Sequence, residues 1–128
     1  MNARNIAIIF GVVFIAVGLL GFVPNAVIGD SHKAIFHADA VHNAVHIVSG
    51  MLFLVFAFGV PARVPGFMQV FGIVYFLLGV LGLFVIGSEG MTRLLGFLHV
   101  NGADNYLHIG LGVLIFAGSF AGRSSSAD

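Results

Sequence analysis

His42-Asn43-Ala44-Val45-His46-Ile47-Val48-Ser49-Gly50 and Asp104-Asn105-Tyr106-Leu107-His108-Ile109-Gly110-Leu111-Gly112 are the two stretches that decide the fold. Each opens an apolar run, and each carries Asn, His, Ile and Gly at the same spacing. Extended back to His37 and His99, five of fourteen positions are identical at an offset of 62. The apolar runs that precede them also match. Residues 10–22 and 71–83 share six of thirteen positions: Phe10-Gly11 recurs as Phe71-Gly72, and Gly18-Leu19-Leu20-Gly21 as Gly79-Val80-Leu81-Gly82. Apolar helices drawn from few residue types resemble one another by chance. Histidine and asparagine are rare inside spans, so chance does not cover their matched spacing. Two blocks repeated in the same order predict a duplicated two-helix unit.

Composition says what kind of helix these are. The chain has 128 residues, 59% hydrophobic and 8% charged, with a mean hydropathy of +1.11. Soluble domains carry about a quarter charged residues, so too few polar side chains are present here to cover a soluble surface. A spanning helix needs about 20 mainly apolar residues. Four stretches qualify, at 5–23, 39–59, 66–87 and 104–122. The expected fold class is an all-α membrane protein, a four-transmembrane-helix bundle made of two parallel-repeat helix pairs. It forms a single membrane domain over 1–128, with repeat one at 5–60, repeat two at 66–122 and a polar tail at 123–128. Two spans per unit give both halves the same orientation, related by a pseudo-twofold axis along the membrane normal. Spans two and four then face each other across that axis.

The chain has no cysteine, which excludes disulfides, thiolate metal sites and cysteine nucleophiles. Five basic and five acidic residues leave no net charge and no basic patch for nucleic acid. No Walker motif, dinucleotide fingerprint or nucleophile–base arrangement is present. The N-terminal run lacks a convincing cleavage site after Phe22-Val23-Pro24 and reads as a retained signal anchor. Arg4, Arg63 and Arg123 fall on one side of the four-span arrangement; Lys33 and Arg93 fall on the other with Asp30, Asp39 and Glu89. The positive-inside bias puts both termini in the cytoplasm. With no Trp in the chain, Tyr75, Tyr106 and some phenylalanines are expected to form the interfacial belt. Gly11 and Gly18, and likewise Gly72 and Gly79, lie on one helix stripe and suit close helix packing, as does Gly118-Ser119-Phe120-Ala121-Gly122.

The chemistry lies in the histidines, six of them in a very apolar chain. Residues four apart on a helix share a face. His42 with His46, and Asp104 with His108, can therefore each offer two ligands to one point. The pseudo-twofold would join them as three imidazoles and one carboxylate, a donor set for Zn, Fe, Mn or Cu. Asn43 and Asn105 sit beside them, placed to hold ligands or backbone carbonyls. Ionisable residues within a span are functional candidates because burying them is costly. The competing reading puts these residues at the rim, in contact with water, with Asp104 and Asn105 as helix N-caps. A further arrangement uses His46 and His108 as axial ligands of a b-type haem, with His37 and His99 as other candidates. His37 would lie on the opposite face of a continuous helix from His46, nine positions or about 900° away. His32 reads as a loop residue. The loops at 24–38 and 88–103 contain the apolar segments Ala34-Ile35-Phe36 and Leu94-Leu95-Gly96-Phe97-Leu98. These are expected to form short interfacial helices over the site. Pro24 and Gly87-Ser88-Glu89-Gly90 are expected to end the preceding spans.

Gly21-Phe22-Val23-Pro24, His42-Asn43-Ala44-Val45-His46 and Val100-Asn101-Gly102-Ala103-Asp104-Asn105-Tyr106-Leu107-His108 resemble the domain-of-unknown-function family 4383 over almost the whole chain. That resemblance implies a small four-span bacterial membrane protein and supplies no activity. With the bacterial origin that the resemblance implies, the expectation is a multi-pass protein of the cytoplasmic membrane or another internal membrane that binds a transition metal ion between spans two and four, near the outer leaflet. Its partners are the lipid bilayer and either further copies of itself or a larger membrane complex. The alternatives are an accessory subunit of such a complex and a haem electron carrier. A transporter is disfavoured by the small number of helices.

Overall fold

The structure is a computed structural model; it describes residues 1–29, 33–87, 91–94 and 98–123. Four helices dominate it: α1 (Ala3–Leu20), α2 (Ala40–Gly59), α3 (Val64–Ile86) and α4 (Gly102–Gly118). A single 3-10 turn, Pro61–Arg63, separates α2 from α3. Three of these segments, Ala3–Leu20, Ala40–Gly59 and Pro61–Ile86, are long and apolar enough to cross a membrane. Their outward faces carry Ile9, Val12, Val55, Val70, Leu77 and Phe84, which suits contact with lipid.

Capping chemistry sets the helix starts. Asn2 accepts from the Asn5 backbone N–H to open α1, and Asp39 accepts from His42 N–H to open α2. Asn101 opens α4 through a reciprocal box with Asp104, so that helix begins two residues earlier than its hydropathy suggests. The positive φ of Gly87, 69°, ends α3 where the glycine-rich turn was expected. α1 stops at Leu20, ahead of Pro24.

The helices run up and down, so the starts of α1 and α3 meet the ends of α2 and α4. At that end Ala3 N–H donates to the Ala121 carbonyl (3.2 Å), and Arg4 Nε donates to the Ala57 carbonyl (2.8 Å). α1 packs on α2 and α3 on α4 through glycines that let backbone touch backbone. Gly11 meets Gly50, and Gly18 meets the Asn43 carbonyl and Ile47; Gly72 meets Gly112, and Gly79 meets the Asn105 carbonyl and Ile109. The glycine stripes read from the sequence are thus the packing seams. Gly118 and Gly122 form no such seam: Gly118 closes α4 against Ile6 and Met68, and Gly122 sits in a turn with φ 73° against Asn2.

The two pairs join mainly through α1 with α3 and α2 with α3. α2 and α4 reach each other through side chains, not along their backbones. The shared core is aromatic. Phe14, Phe53, Phe71 and Tyr75 interlock with ring centroids 4.9–5.7 Å apart, and Ala7, Ala57, Val64, Met68 and Ile115 fill the end near the termini.

Where they are described, the connections from α1 to α2 and from α3 to α4 form short strands, not the interfacial helices expected of them. β1 (Ile28–Gly29) pairs in parallel with β2 (Phe36–His37), and β3 (Met91–Leu94) pairs antiparallel with β4 (Leu98–Asn101). Short pairs satisfy loop backbone groups that neither helix reaches. Expectations for Asp30, His32, Glu89, residues 95–97 and the tail from 124 lie outside the described residues. Val100 is fully buried against Val45, Leu78 and Ile86, so the loop layer closes over the helix ends.

Candidate metal centre

His42 and His46 project from the first turns of α2, four residues apart on one face. His108 projects from the equivalent depth of α4. The rings of His42 and His46 have centroids 4.6 Å apart, and those of His42 and His108 5.8 Å. Ligand-type nitrogens of all three residues lie within 4.8 Å of one another, and all three side chains are buried. Donors around a tetrahedral ion with bonds of about 2.0–2.1 Å sit about 3.3 Å apart. Small side-chain movements would therefore gather these nitrogens around one ion.

Burial speaks against the water contact that the rim reading requires. The residues do begin helices, but the strand layer covers them and they are at most 5% exposed. His46 Nδ1 and His108 Nδ1 are buried with no hydrogen-bond partner among the described residues. A native interior rarely leaves such atoms without a partner.

Asp104 is not among the three residues whose ligand atoms converge. Its Oδ2 accepts from the backbone N–H of Asn101 (2.8 Å) and of His37 (3.1 Å). The carboxylate is thus part of a helix cap, as the competing reading held, and also a clasp that ties the first loop to α4. Asn101 adds a second tie by donating from Nδ2 to the Ile35 carbonyl (3.1 Å). Replacing Asp104 by Ala should cost about 1–2 kcal/mol, the usual worth of a cap. Hydrogen exchange at the His37 amide should rise by an order of magnitude or more, read by mass spectrometry on peptides covering 35–38. Unchanged exchange there would refute the clasp.

Asn43 and Asn105 pack into the two helix seams. Their amide groups press on Gly21 and Gly82, in the space a Cβ at either glycine would need. Asn43 Oδ1 and both amide atoms of Asn105 are buried without hydrogen-bond partners among the described residues. Their close fit to glycine marks them as packing residues of the two seams. Asn105 is not the N-cap of α4 either; Asn101 is. His37 is buried in β2, where its backbone N–H joins the Asp104 clasp. His99 contributes its backbone to β4, and its side chain lies outside the described residues.

Tyr75 is the residue that sequence reasoning misplaced. It was assigned to the lipid interface; it is 6% exposed, at the centre of the bundle. Its hydroxyl lies 3.3 Å from His46 Nε2 and its ring centroid 4.7 Å from that of His108. Tyr106 is exposed and remains a candidate for the belt. The sequence did hold a signal. Tyr75 aligns with Phe14, and His42 with Asp104, so the two halves depart from one another at the positions that surround the cluster. Phe14 occupies the mirror place, its ring centroid 5.9 Å from that of His46.

No curated protein and no solved structure matches the chain. A family model does, over residues 4–121, and on that coverage the chain belongs to the family described as a domain of unknown function, DUF4383.

Proposed function

We propose that this chain is a four-span membrane protein that binds one transition metal ion through His42, His46 and His108, with Asp104 as a nearby charge partner. The observation that carries the reading is the convergence of three buried imidazoles from two helices on one point. Histidine nitrogens suit Zn, Cu and Fe. Burying three imidazoles is costly unless their polar atoms are engaged, and a bound ion would engage one ring nitrogen of each.

α4 is the fourth span in this reading. Its 17 residues lie within the usual range of about 17–25 for a spanning helix. It lies along α3 from Gly72 to Gly82, and a helix packed so closely shares its partner's depth. The recurring glycine seams support descent from a duplicated helix pair. Arg4 and Arg63 at the same end as the termini support cytoplasmic termini, which puts the site under the outer surface. Because the chain has no cysteine, single cysteines report sidedness cleanly. In intact cells an impermeant maleimide should label Ile35→Cys and spare Ala62→Cys; the reverse pattern would invert the topology.

Haem fits these surroundings poorly. The imidazoles lie against one another and Tyr75 covers His108, so a porphyrin plane would have to displace both. The deciding experiment is purification in mild detergent from the native host, with elemental analysis and a visible spectrum. One metal ion per chain without a Soret band is expected. A Soret band would favour haem. Absence of both, with co-purifying partner subunits, would favour an accessory role.

A further inference from the structure

Resting on the metal site proposed above, we propose that Tyr75 is its fourth ligand, binding a cupric or ferric ion as the phenolate. Position carries the argument first. Tyr75 touches His46 of α2 through its hydroxyl and His108 of α4 through its ring, so it stands between the two helices that supply the imidazoles. The distance agrees. At 3.3 Å the hydroxyl is farther from His46 Nε2 than a good N–H···O or O–H···N bond, which centres near 2.9 Å. It matches the separation of about 3.3 Å between two donors on one tetrahedral ion.

Charge is the second argument. Three neutral imidazoles supply no charge of their own, so in a low-dielectric interior a nearby Asp104 would offset only part of the charge of the ion. One oxygen of Asp104 is already taken by two backbone amides. Tyr75 brings an anionic oxygen within reach of a histidine nitrogen. Loading breaks the phenol O–H bond, forms an oxygen–metal bond and releases one proton; the metal keeps its oxidation state.

Comparison of the two halves is the third argument. Phe14, at the aligned position, fills the same kind of place beside His46 with no hydroxyl. Packing is therefore met by a phenylalanine, and the hydroxyl of Tyr75 is an addition to it. The rival geometry puts the ion on His46 Nδ1 and leaves Tyr75 as a hydrogen-bond partner of Nε2.

Spectroscopy separates the two. Full-length protein in mild detergent is stripped with a chelator and given copper(II) alone, the strongest binder of the divalent series. The proposal expects one retained copper per chain and a phenolate-to-copper charge-transfer band in the visible. Raman excitation in that band should enhance tyrosine ring modes that shift with ring-deuterated tyrosine. Tyr75→Phe should keep its copper and lose the band. Tyr106→Phe, which alters the only other tyrosine, should keep both. Retained copper with no band, or a band that survives Tyr75→Phe, overturns Tyr75 as a ligand and leaves the histidine site standing. Failure to retain copper at all overturns both.

Discussion

His108→Phe should abolish stoichiometric metal while leaving the metal-free protein at least as stable as the metal-free parent. Loss of a supporting residue around a metal typically costs 10–100-fold in affinity. Loss of a proposed ligand itself should exceed about 100-fold and leave the ion unretained through purification. The stability half of the prediction follows from burial. His108 Nδ1 is enclosed without a partner, and an unsatisfied buried polar group costs about 1–3 kcal/mol. A phenylalanine ring fills nearly the same space against Tyr75 and carries no such group. Metal bound at about 1,000 times its Kd stabilises the folded state by about 4 kcal/mol. The parent protein should therefore lose thermal stability on chelation, and His108→Phe should show no response to the chelator. His46→Phe should behave alike, apart from the Tyr75 hydroxyl it leaves alone. The measurement is metal content together with paired melting curves, with and without chelator. Equal chelator responses in parent and variant would remove His108 from the site.

Gly112→Ala should destabilise the bundle by about 1–3 kcal/mol or more, the usual cost of overpacking, whereas Gly110→Ala should be neutral or mildly stabilising. The two positions share one helix and differ only in what they face. A Cβ at 112 would stand 2.6 Å from Phe76 N and 2.7 Å from the Gly72 carbonyl. Both are backbone atoms of α3 and cannot rotate away, so the α3–α4 seam would have to open. A Cβ at 110 meets nothing within 4 Å, and alanine gains about 1 kcal/mol of helix propensity over glycine in water. Because α4 carries His108, a widened seam should also weaken metal retention in Gly112→Ala. Denaturant titration in detergent for both variants checks the contrast. Equal stabilities would mean that α3 and α4 are not held at that glycine.

Much of this was legible in the sequence because it depends on local periodicity. An apolar run of span length needs no tertiary information, and neither does the rule that puts His42 and His46 on one face. The glycine stripes are legible for the same reason: seven residues are close to two helical turns. Asp104 and Tyr75 were harder. The sequence offers Asp104 as a ligand, and only the fold shows one of its oxygens on the amides of Asn101 and His37, the latter 67 residues away in the chain. A tyrosine in a span without tryptophan looks like an interfacial anchor until helix rotation turns it inward. The strands at Phe36–His37 and Leu98–Asn101 were not legible because apolar content alone does not distinguish a strand pair from an amphipathic turn over so few residues.

The sequence by itself determined the apolar helices, the family resemblance and a short set of candidates, His42, His46, Asp104 and His108, since each is written in composition and spacing along single segments. Only the tertiary structure decided that His108 meets His42 and His46 under a layer of strands, that Asp104 clasps a loop, and that Tyr75 completes the surroundings. Those outcomes depend on how deeply one helix settles into another at Gly50 and Gly112. That depth and rotation come from backbone contacts between distant segments, which no local period records.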